Sequence, residues 1–117
     1  MKRPHKYGAR RTKVGDLTFD SKREARRWSE LLLLQRAGKI TGLERQVVYV
    51  LAPAVKLHGE ARIKPALRYV ADFRYCVPAE GVFVVEDSKS PATAKEGVSR
   101  IKMHLMATVH GIGVRLS

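Results

Sequence analysis

Acidic residues are scarce in this chain. Eleven Asp and Glu stand against 23 Lys and Arg in 117 residues, a formal net charge of +12 and a pI near 10.4. That deficit makes a polyanion the expected partner, with nucleic acid first. Cysteine is scarcer still: Cys76 stands alone, which excludes an intrachain disulfide and a cysteine-cluster zinc site, and its apolar neighbours predict a buried thiol. Long apolar runs are missing. A spanning helix needs roughly 18 such residues, and the leucine tract 31–34 is far shorter, so no membrane partner is expected. The basic opening MKRPHKYGARR is followed by no apolar signal region, so the expectation is a soluble, non-secreted, cytoplasmic protein. Repeats and low-complexity segments are also absent, and this length favours one core. The histidines His5, His58, His104 and His110 show no HExxH or other ligand spacing, which makes them surface or core residues.

What is there divides into a basic arm, 1–13, and a single domain, 14–117. Lys2, Arg3, Lys6, Arg10, Arg11 and Lys13 crowd the arm with almost nothing apolar among them. Two readings stand equal: a segment that orders on DNA, or a solvated tail. Val14-Gly15-Asp16 reads as a turn and 17–19 as a short strand. Ser21-Lys22-Arg23-Glu24 fits the capping box of a first helix running to about Ala37. Ala25, Trp28, Leu31, Leu32 and Gln35 recur on its inner face, with Lys22, Arg23, Arg26 and Arg27 outside and Gly38 past the end. Residues 43–51, rich in Val and Tyr, predict a strand buried on much of both faces, and 55–67 a peripheral hairpin or long loop. A second helix starts at Thr93 or Ala94, with Val98, Ile101, Leu105 and Val109 core-spaced, and Gly111 stops it. A short strand, 112–116, follows.

The chain is organised around 68–89, two strands joined by the turn Pro78-Ala79-Glu80-Gly81. If Val77 faces Val82, counting back places Asp72 opposite Asp87, their Cβ atoms about 4.5–5.5 Å apart. Two carboxylates so placed call for a cation or a proton between them. Alternation puts Lys89 on the face of Asp87, turns Glu86 the other way unless a bulge re-aims it, and directs Asp72 away from Tyr69, Ala71, Phe73 and Tyr75. Gln46 reads as a polar strand residue before a member of that cleft. Of Lys95, Arg100 and Lys102 on the second helix, Lys102 is the preferred phosphate contact.

The order α-β-β-β-α-β, a lone Asp on the second core strand and Asp-x-Lys on the third resemble the PD-(D/E)XK nuclease superfamily. The runs KYGARRTKVGDLTFDSKREARRWSELLLLQRAGKI, YVADFRY and VVEDSKS are similar to a small phage and prophage family placed there, over nearly the whole chain. Ala71 stands where that pattern has proline. The resemblance implies an α/β fold, a mixed central sheet flanked by two helices. It implies Asp72 and Asp87 as ligands of Mg²⁺, or of Mn²⁺ in its place, Lys89 beside the attacking water, and Glu24 as a further acidic ligand. Capping explains Glu24 without a metal, and that alternative stays open. The implied activity is endonucleolytic hydrolysis of DNA, branched or Holliday-junction DNA first, by a homodimer in a bacterial host cell. The alternatives are a non-catalytic nucleic-acid-binding protein and a nuclease or nickase of other specificity.

Overall fold

The computed structural model describes residues 11–117. The expectations for Lys2, Arg3, Lys6 and Arg10 lie outside the described residues. Strand β1 (Thr12–Val14) pairs antiparallel with β2 (Leu17–Phe19), Val14 opposite Leu17. Lys13 therefore belongs to a hairpin strand, which corrects the arm boundary drawn at residue 13. Helix α1 (Lys22–Arg36) starts at Ser21, whose hydroxyl accepts the N–H of Glu24 at 3.1 Å, and is capped by Ala37.

Four strands form the central sheet in the order β3-β4-β5-β6: β3 (Thr41–Ala52), β4 (Leu67–Val77), β5 (Val82–Asp87) and β6 (Arg115–Leu116). The first three run antiparallel to one another in that order and β6 lies parallel to β5, so the sheet is mixed. The β4–β5 register runs from Val77↔Val82 to Phe73↔Glu86, as counting from the turn predicts. Gly81 allows that turn by adopting φ 67°, a left-handed conformation that a Cβ disfavours. Between β3 and β4, the loop is closed by a single bridge, Val55↔Lys64.

One row of β4 side chains, Tyr69, Ala71, Phe73 and Tyr75, serves both flanking helices. Phe73 and Tyr75 pack with Leu31 of α1, Ile40 and Val84; Tyr69 and Ala71 pack with Leu51, Val85 and Met106. Each large apolar side chain so buried contributes about 1.5–3 kcal/mol.

Three further expectations need correction. The second helix is two helices, a single turn α2 (Pro91–Ala94) and α3 (Gly97–His110), and α3 turns Ser99 and Met106 inward. Val98, Ile101 and Val109 are exposed. Strand β3 lies at the sheet's edge, so Val48 and Val50 are exposed where burial on both faces was expected. Cys76 is only half-buried.

Candidate active site

The β4–β5 ladder stops at Phe73↔Glu86, one step before the two aspartates would face each other. Instead of standing as a ladder pair they interlock. Asp87 Oδ1 accepts the backbone N–H of Asp72 at 3.3 Å, and Asp72 Oδ2 accepts that of Ser88 at 2.9 Å. Asp87 is held from its far side by β6, pairing with Leu116 and accepting the N–H of Ser117 at its carbonyl. Its Oδ2 lies 3.1 Å from Lys89 Nζ, as alternation along β5 implied.

Burial sets the electrostatics. The Asp72 carboxyl is pushed up to about 9, first by desolvation, then by its hydrogen bond to the Asp87 carboxyl and by the charges of Asp87 and Glu24. Glu24 is raised too, mainly by burial and then by Asp20, with Arg45 opposing. Three acids in mutual electrostatic reach thus share a poorly solvated space, the condition under which a proton or a cation is retained.

Glu24 is buried in the first turn of α1, where its Oε1 accepts Gln46 Nε2 at 3.3 Å and lies 3.9 Å from Arg45 Nη2. It lines the same cleft as the aspartates. Among the described residues, however, no three or more His, Cys, Asp or Glu side chains close into a metal cage. Gln46, opposite Asp72 by the flanking register, has φ 57°. A left-handed non-glycine residue inside a strand costs of order 1–3 kcal/mol, a strain that is a marker of sites. The reading of Gln46 as an ordinary strand residue is thereby corrected: the twisted backbone delivers its amide to Glu24.

Glu86 points to the opposite side, fully buried, as alternation required. Burial alone would raise its carboxyl, but Arg27 and Tyr75 overcome that and hold it below the usual range. Arg27 Nε and Nη2 donate to its two oxygens at 2.6 and 3.0 Å, and the Tyr75 hydroxyl donates at 2.6 Å. Arg27, expected on the outer face of α1, is drawn inward because an unpaired carboxylate there would be far costlier than a bent arginine.

The aspartates lie in an open cleft of about 720 Å³, also lined by Arg23, Arg68, Lys89 and Lys102. Acids and four cations thus share its lining with hydroxyl-bearing and apolar side chains. Lys95 and Arg100 lie outside it, whereas Lys102 is part of its lining. Arg11 and Lys13 are exposed on and beside β1, away from the cleft lining.

Sequence reasoning missed Tyr69. It is 3% exposed, lines the cleft beside Asp87, and its hydroxyl finds no hydrogen-bond partner of ordinary geometry among the described residues. Burial first, then the charge of the nearby Asp87 carboxyl and hydrogen bonding toward it, then the charge of Asp72, raise its pKa and keep it a donor. Alternation placed Tyr69 on the aromatic side of β4, so no local signal linked it to Asp72. Ser88 Oγ, in the same cleft, is likewise buried without a partner.

His110 Nε2 donates to the Val50 carbonyl at 2.7 Å, and the ring packs edge-on against Tyr49, a structural role as expected. No helix among the described residues is long and apolar enough to cross a membrane.

Fold and site together define a small mixed α/β protein in which a half-buried aspartate in the middle of β4 meets a buried aspartate at the end of β5 and a lysine just beyond it. Over residues 4–110 the chain matches the family described as Protein of unknown function (DUF1064), and it belongs to that family. No curated protein and no solved structure matches it.

Proposed function

We propose that this protein is a divalent-metal-dependent DNA endonuclease of PD-(D/E)XK type. The observation that carries the reading is the interlocked Asp72–Asp87 pair with Lys89 Nζ 3.1 Å from Asp87, inside a cleft that also presents Arg23, Arg68 and Lys102. The element order α1-β3-β4-β5-α3-β6 and the parallel β5–β6 pair support it as well.

The donor set fits Mg²⁺ or Mn²⁺. It is all oxygen, it offers two carboxylates that repel unless something positive or a proton joins them, and such ions use one or two carboxylates plus water and phosphate oxygens. Asp72 and Asp87 would hold the ion, with Glu24 at the wall, oriented by Gln46. A bound ion neutralises charge on the phosphate and acidifies water. Lys89, its Nζ 3.1 Å from Asp87 Oδ2, orients the attacking water as an ammonium or, as the neutral amine, takes up its proton. Arg23, Arg68 and Lys102 hold the backbone to either side. The water oxygen bonds to phosphorus as the bond from phosphorus to a sugar oxygen breaks, and that sugar oxygen leaves with a proton. Branched DNA is the favoured substrate, and the two-fold symmetry of a four-way junction suits a homodimer.

The test incubates the protein with four-way junction, linear duplex, single-stranded DNA and RNA, in Mg²⁺ or in chelator. Mg²⁺-dependent cleavage, strongest on the junction, is expected. Asp87→Ala abolishes it and Lys89→Ala lowers it by orders of magnitude while both still bind DNA. Cleavage in chelator, or an Asp87→Ala protein cutting at the wild-type rate, sinks the proposal. A wild type that binds but cuts nothing makes this a binding protein.

A further inference from the structure

Two tyrosines on β4 present the same problem and solve it differently. Tyr75 and Tyr69 are 2% and 3% exposed, and both rings lie in the core. The Tyr75 hydroxyl donates to Glu86 at 2.6 Å; the Tyr69 hydroxyl, near the Asp87 carboxyl, makes no hydrogen bond of ordinary geometry among the described residues and lies at the cleft wall. A buried hydroxyl without a partner destabilises a fold by roughly 1–3 kcal/mol relative to one that is satisfied. Phenylalanine would fill the core at that position equally well. The hydroxyl is therefore surplus to packing, and what it lacks is an acceptor in good hydrogen-bond geometry, the Asp87 carboxyl lying near without supplying one.

Resting on the nuclease reading, we infer that the Tyr69 hydroxyl is a catalytic donor to a non-bridging oxygen of the scissile phosphate, with Ser88 Oγ as a second donor. Three observations converge on this. Both hydroxyls are buried and unsatisfied. Both line the cleft that contains Asp72, Asp87 and Lys89. Phosphate oxygens accept hydrogen bonds, which carboxylates already engaged by backbone N–H groups and Lys89 do less freely. Neither hydroxyl carries charge, so each adds a directed contact rather than to the general attraction for DNA. Charge shifts onto these oxygens during transfer, so a donor fixed by the core acts mainly on the rate.

The experiment pairs Tyr69→Phe with Tyr75→Phe, and adds Ser88→Ala. Urea midpoints, Mg²⁺ affinity by calorimetry, junction affinity in Ca²⁺ and single-turnover cleavage in Mg²⁺ are measured on each. Tyr69→Phe should keep or raise the urea midpoint, leave Mg²⁺ affinity unchanged, alter junction affinity by less than about threefold and slow cleavage by up to about 100-fold. Ser88→Ala should slow cleavage less. Tyr75→Phe should do the reverse, lowering the midpoint and sparing the rate. A Tyr69→Phe protein that cuts at the wild-type rate overturns the assignment, and so does one whose midpoint falls as far as that of Tyr75→Phe. A wild type that cuts none of the four substrates removes the nuclease reading and this inference with it, an outcome separable from the other two because there the wild type is active.

Discussion

Asp72 is the residue whose ionisation works hardest against the fold. Its carboxyl is raised to about 9, first by burial and then by Asp87 and Glu24. The folded protein thus holds a proton that the unfolded chain, with an ordinary aspartate near 3.9, has released. The resulting stability is complete below about pH 4 and is lost as pH climbs through about 9. Urea midpoints at pH 5, 7 and 9 should therefore fall more steeply for wild type than for Asp72→Asn, the asparagine pulling ahead as pH rises. Mg²⁺ should flatten the wild-type slope, because an ion that binds only the folded state replaces the proton. Parallel slopes in the two proteins would show that Asp72 is ionised throughout.

At the scale of elements, much was legible and the exceptions share a cause. Ser21 and Glu24 marked the start of α1, and counting from the 78–81 turn gave the β4–β5 register and the separation of Glu86 from Asp87. Local chemistry decides those features. The face of α3 was not legible, because Val98, Ile101, Leu105 and Val109 form one helical stripe and Ser99, Met103 and Met106 another. Only the break at Lys95–Glu96, which sets the phase of α3 on the sheet, chooses between them. Met106→Ala should cost about 2–5 kcal/mol. Ile101→Gln, on the exposed stripe, should stay within about 0.5 kcal/mol by denaturant titration. Equal losses would reverse the orientation of the helix. Gln46 and Arg27 escaped detection for the same reason: the left-handed backbone of one and the inward turn of the other answer to Glu24 and Glu86, partners distant in sequence.

For the whole molecule, charge and architecture separate two tasks. The cleft holds a few cations against several acids, whereas the net +12 is spread over the chain, including Lys2, Arg3, Lys6 and Arg10 ahead of β1. Deleting residues 1–10 should weaken binding to junction and duplex by a similar factor and reduce the salt slope by up to about 0.9 per lost phosphate contact, leaving substrate preference intact. An unchanged slope in a salt titration would make those residues bystanders. The mixed sheet adds a consequence of timing. Asp87 is fastened by β6, a two-residue strand made after α2 and α3, while Asp72 and Asp87 themselves are synthesised earlier. A chain growing from the ribosome therefore carries both aspartates before it has the strand that braces them, so Asp87 gains its brace only once β6 has emerged behind α3.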